Sequence, residues 1–91
     1  MNTIRNVFRR EIGELLPVLH RTYRCIGVFQ KNRTARNVGR MMVELESVAP
    51  MLAQFRPHVP AAKQRYFDAL ASPDLELSDR IVALDIAVGA M

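Results

Sequence analysis

A chain of 91 residues, 49% hydrophobic and 24% charged, holds one core and has no length for a second. Multidomain enzymes, low-complexity chains and intrinsically disordered tails are excluded on that ground. The formal charge is +4, and the single cysteine, Cys25, excludes an internal disulfide framework.

Helical periodicity runs through the whole chain. From Ile4 the apolar positions Phe8, Ile12, Leu15, Leu19, Thr22/Tyr23 and Ile26 recur every three or four residues, which predicts one long helix over roughly 3–29. Pro17 lies inside this stripe; it lacks a backbone donor and crowds the preceding turn, so the helix is expected to kink there. Val28 to Arg33 has no periodicity and reads as a short polar connection. Thr34 suits the N-cap of a second helix reaching about Phe55. Its inward stripe is Val38, Met41, Met42, Leu45, Val48, Ala49 and Leu52, with Pro50 inside the pattern and Pro57 ending it. A shorter helix opens at Pro60 and turns Tyr66, Phe67 and Leu70 inward. Ser72-Pro73-Asp74 breaks the chain, and Ser78 and Asp79 open a last helix carrying Ile81, Val82, Leu84, Ile86, Ala87 and Val88.

No Asn-Gly or Asp-Gly turn and no sustained alternation marks a strand. The expected fold is therefore all-α: two long antiparallel helices plus two shorter ones in a single helical domain, 1–91. A basic long-helix region spans 1–56 and a shorter helical tail 57–91. Short connections make neighbouring helices antiparallel.

The charge is unevenly spread. Residues 1–40 hold nine basic side chains against Glu11 and Glu14, a balance of +7, whereas residues 41–91 hold four against seven acids, a balance of −3. Eleven of the thirteen basic residues are arginine, whose planar fork suits phosphate and carboxylate. A GC-rich coding sequence produces the same bias without a functional cause. At 100° per residue the side of the first helix opposite its core presents Asn6, Arg9, Arg10, Gly13, Pro17, His20, Arg21, Arg24 and Lys31. The second helix presents Arg36, Arg40, Ser47 and Gln54 in the same way. Such a ridge tracks the phosphates of a nucleic-acid backbone; the plainer alternative is a solvated face that keeps the protein soluble.

Some outward positions are apolar. Val43, Pro50 and Met51 project from the second helix away from its main stripe, and the last helix, with Ile86, is apolar nearly all round. A chain this short buries both poorly by itself, which points to a homodimer; core membership of the last helix is the competing explanation.

Catalytic and metal-binding patterns are not found. His20 and Cys25 lie about 140° apart on one helix, His58 stands alone between prolines, and two histidines with one cysteine match no zinc spacing. Gly13, Gly27, Gly39 and Gly89 are isolated and form no phosphate loop. The expectation is a non-enzymatic protein with no cofactor and no metal. The lone cysteine favours a reducing compartment, and Arg5, Arg9 and Arg10 interrupt any secretory apolar segment. No apolar run approaches the roughly 20 residues of a membrane span. A cytoplasmic location without membrane contact is expected.

Two short elements carry a resemblance. Glu14-Leu15-Leu16-Pro17 is similar to a Glu-Leu-Pro element, with one leucine more, and Asn37-Val38-Gly39-Arg40 is similar to an Asn-Val-x-Arg element. Both occur, at similar separation, on the first and second long helices of the double-stranded-RNA-binding silencing suppressors of insect nodaviruses, small all-α proteins that this chain resembles. The resemblance implies a homodimeric four-helix bundle lying along an RNA duplex and shielding it from the host silencing machinery. It nominates Arg40 for RNA contact; Gly39 stands where a second basic residue is expected. The physics is compatible, because A-form RNA is met mainly at its phosphates and 2′-hydroxyls.

The sequence reading is a sequence-nonspecific, duplex nucleic-acid-binding protein, RNA preferred. Arg9, Arg10, Arg21, Arg24, Arg36 and Arg40 make the phosphate contacts, and Asn6 and Ser47 the auxiliary polar ones. Val43, Pro50, Met51 and Ile86 are the expected dimer contacts. The alternative is a small adaptor, chaperone or inhibitor that docks an acidic protein surface through the arginine-rich face, anchored by Val43, Pro50, Met51 and the last helix.

Overall fold

Positions three and four apart share one side of a helix, and burying that side is what stabilises a helix too short to persist alone. The computed structural model, which describes residues 3–91, consists of helices on this plan: α1 (Thr3–Val7), α2 (Arg9–Lys31), α3 (Ala35–Ala53), a 3-10 turn (Arg56–His58), α4 (Ala61–Ala71) and α5 (Leu77–Gly89). No strand occurs among the described residues. Leu15, Leu19, Thr22, Ile26 and Phe29 are the buried stripe of α2, and Met41, Leu45, Val48 and Leu52 that of α3. They join Phe55, Phe67, Leu70, Ile81, Leu84 and Ala87 in one core. Full burial of each large aliphatic side chain is worth about 1.5–3 kcal/mol.

The bundle runs up and down. Phe8 meets Phe55, and Arg21 meets Glu44, so α2 and α3 are antiparallel. Arg56 pairs with Asp68, turning α4 back along α3. Arg80 reaches Leu70, joining the start of α5 to the end of α4. Tyr23 closes the ring by donating to Asp85 Oδ1 at 2.9 Å, from α2 to α5. The result is an elongated body of 40 × 25 × 18 Å.

Several local expectations change. The first long helix runs through Pro17, as its unbroken stripe predicts, but it does not extend unbroken from residue 3. The break comes at Phe8 (φ −108°, ψ 38°), where the backbone leaves helical geometry. That turn lets Ile4 be buried while the Phe8 ring packs edge-on to Phe55 and against His58. Aromatic packing thus interrupts the helix where proline does not. Of the expected connection Val28–Arg33 only Asn32 and Arg33 are outside the helix: α2 continues to Lys31, with Phe29 a core residue one turn beyond Ile26. Met42, expected inward, is 42% exposed. α5 begins at Leu77 rather than at Ser78 and Asp79. Thr34 does cap α3, its Oγ1 accepting from the Asn37 amide at 3.2 Å.

Candidate nucleic-acid interface

The connection between the two long helices is three residues long and pinned twice. Thr34 caps α3, and Asn37 Nδ2 donates to the Asn32 carbonyl at 2.7 Å. This tight reversal sets the register of α2 against α3 and brings Arg24 opposite Arg40. Between them lies a cleft of about 250 Å³ lined by Arg21, Arg24, Cys25, Val28, Asn37, Arg40 and Glu44. Three guanidiniums face one carboxylate there. Arg21 Nε donates to Glu44 Oε2 at 3.0 Å, so one cation and the one anion neutralise each other. Arg24 and Arg40 have no acid within ion-pair distance among the described residues. Both are exposed and carry the net positive charge of the cleft.

The basic surface continues past the turn. Arg36 is exposed one turn before Arg40, and Arg33 lies over the Phe29 ring at 5.1 Å, its charge directed outward from a core residue. Arg21, Arg24, Arg36 and Arg40 thus share one end of the α2/α3 face. The other expected contacts lie elsewhere. Arg9 is 15 residues before Arg24, about 22 Å along the helix axis. Arg10 forms a long 3.6 Å pair with Glu14 one turn on, with both side chains largely exposed. Such a pair is worth about 0.3–0.5 kcal/mol and leaves Arg10 accessible. Asn6 sits on α1, across the Phe8 break. Ser47 is exposed on α3, two turns beyond Arg40. The ridge is therefore two basic groups rather than one line.

The apolar positions expected at a dimer contact are also divided. Val43 (63% exposed) and Pro50 are exposed on α3, Pro50 at the groove that α3 forms with α4 and α5. Met51 is half-buried against the core, and Ile86 is half-buried on α5.

Glu44 belongs to the cleft but carried no sequence signal, because an acid on one helix faces a base on another only once register is known. Cys25 also lines the cleft. Burial pushes its thiol up, Glu44 adds to the rise and Arg40 partly offsets it, so it stays protonated rather than a reactive thiolate. Burial likewise pushes the Tyr23 phenol up to about 12, reinforced by its bond to Asp85. Among the described residues no cluster of three or more His, Cys, Asp or Glu side chains can hold a metal ion. No helix among them is long and apolar enough to cross a membrane. What the cleft offers chemically is two exposed guanidiniums with no acid beside them, a setting suited to an anion.

Comparison with protein-family models, with curated proteins and with solved structures finds no match to this chain.

Proposed function

We propose that this protein binds duplex nucleic acid without sequence specificity, RNA in preference to DNA, through the α2/α3 face, and that it performs no catalysis. The observation that supports this reading is the pair of unneutralised arginines, Arg24 and Arg40, on the two walls of one cleft, with Arg36 beside them. Two guanidiniums held on separate rigid helices grip adjacent phosphate oxygens without ordering a loop. Affinity then comes mainly from counterion release, which needs no base-reading side chain. Arg9 and Arg10 extend the contact along the same helix. A homodimer doubles the basic surface, and sequestering a duplex in this way is how a suppressor of RNA silencing acts.

The second reading is an adaptor, chaperone or inhibitor that binds an acidic protein surface. Its support is specific: Val28, 51% exposed, lines the cleft with the arginines, and Val43, 63% exposed, lies one helical turn after Arg40. Apolar side chains there suit a protein partner better than a phosphate backbone.

A mobility-shift titration with an RNA duplex of about 25 base pairs, long enough for the roughly 16 base pairs that a double-stranded-RNA module spans, separates the two. Duplex binding requires a shift whose affinity falls steeply with salt. The double charge reversal Arg36→Glu with Arg40→Glu abolishes it while the helical circular-dichroism signal stays intact. No shift at low salt ends the nucleic-acid reading.

A further inference from the structure

A second feature is independent of the basic face. Arg80, at the start of α5, is only 3% exposed. Its Nε donates to the Leu70 carbonyl at 2.9 Å, which satisfies one of the open carbonyls at the end of α4. That uses one of the five guanidinium donors. Neither terminal nitrogen has a partner among the described residues. Yet no fully enclosed side-chain nitrogen or oxygen among them lacks a partner. Each terminal nitrogen therefore keeps some contact with solvent, and Arg80 lines the groove between α3, α4 and α5.

This groove has a volume of about 370 Å³. Its walls are Ala49, Pro50, Ala53, Phe67 and Ala71, four of them small, so the space in front of the guanidinium is open and largely apolar. Asp68 on the rim forms no ion pair with Arg80 and is engaged through both oxygens by Arg56 at 2.9 Å. Glu46, also on the rim, forms no ion pair among the described residues.

We infer that this groove is a receptor for a carboxylate borne on a small apolar body, with Arg80 as its anchor. A cation this far from water with free donors is costly, and a planar carboxylate satisfies the fork with two parallel hydrogen bonds. Arg56, the groove's other guanidinium, is already engaged by Asp68, and the one that is left balances a monoanion but not a phosphate dianion. The alanine and proline walls add burial for an alkyl body and none for an ion alone.

Hexanoate is the probe, hexanamide its neutral control and inorganic phosphate the competing anion, each titrated into the whole protein by heteronuclear NMR. Hexanoate is expected to produce saturable shifts at the Arg80 Nε–H and at the Ala53 and Ala71 amides. Hexanamide and phosphate are expected to produce none there. Ala53→Leu fills the groove without touching the bond from Arg80 to Leu70 and weakens hexanoate by about tenfold or more. Glu46→Gln removes a rim anion and tightens it. Absent or unsaturable shifts, equal binding of hexanamide or phosphate, or indifference to Ala53→Leu each overturn the proposal. If Glu46→Gln lowers thermal stability without tightening hexanoate, Glu46 itself occupies Arg80 and the proposal likewise falls.

Discussion

Arg21 on α2 donates its Nε to Glu44 on α3 at 3.0 Å, and this one pair decides which guanidiniums of the basic face remain free. Glu44 is the more sheltered partner, 19% exposed in its side chain against 57% for Arg21. The carboxylate is therefore a fixed part of the cleft wall, and Arg21 screens it from whatever anion approaches Arg24 and Arg40.

Replacing Glu44 with Gln releases Arg21 and removes the anion of the cleft. Duplex affinity at low salt is expected to rise by about fivefold, near 1 kcal/mol, and the salt slope to steepen by about one. Thermal stability should fall by less than about 1 kcal/mol, since the pair is partly exposed. A mobility-shift salt series and a thermal melt check both. An unchanged or weaker affinity would show that Arg21 does not face the ligand.

Phe8 and Phe55 stack edge to face with centroids 5.5 Å apart, but they are not equal in weight. Phe55 is fully buried, so Phe55→Ala should cost about 3–5 kcal/mol. Phe8 is half-buried, and Phe8→Ala should cost about 1–2 kcal/mol, the range of partial aromatic burial. The smaller loss should come with reduced protection of the α1 amides from hydrogen exchange. Denaturant melts of the two single variants and the double variant measure their coupling, expected at about 0.5–1.5 kcal/mol.

The Tyr23 phenol supplies a pH signature. Its ionisation is pushed from 10.0 to about 12 by burial and by the bond to Asp85. The neutral phenol is the form the fold prefers, so its contribution is complete below pH 10 and is lost as pH rises toward 12. Stability should therefore decline across that window, and Tyr23→Phe should flatten the decline while leaving a slightly weaker α2/α5 contact at neutral pH. Chemical denaturation at several alkaline pH values tests it; identical slopes in the two proteins would exclude the role.

Gly39 is a mid-helix glycine with open space where a side chain would begin, no heavy atom lying within 4 Å of an added Cβ. Gly39→Lys should raise stability by about 0.5–1 kcal/mol, because glycine is a poor helix former. The lysine also adds a cation between Arg36 and Arg40, so duplex affinity should rise with it. Gly39→Ala is the control: it should match the stability gain without the gain in binding.

Residues on one helix were legible from the chain alone. The three- and four-residue recurrences identify the helices, and Thr34 announces the start of α3, because periodicity and capping depend only on near neighbours. The +7 balance of residues 1–40 and the exposure of Arg24, Arg36 and Arg40 follow from the same local geometry. Relations between helices were not legible. Only tertiary packing put Glu44 against Arg21, broke the first helix at Phe8, extended α2 through Phe29, and enclosed Arg80 beneath the α3, α4 and α5 groove. The physical reason is common to all four. Which charge is neutralised and which ring or cation is buried depends on register and on the partner surface, and the spacing of residues along a single helix encodes neither.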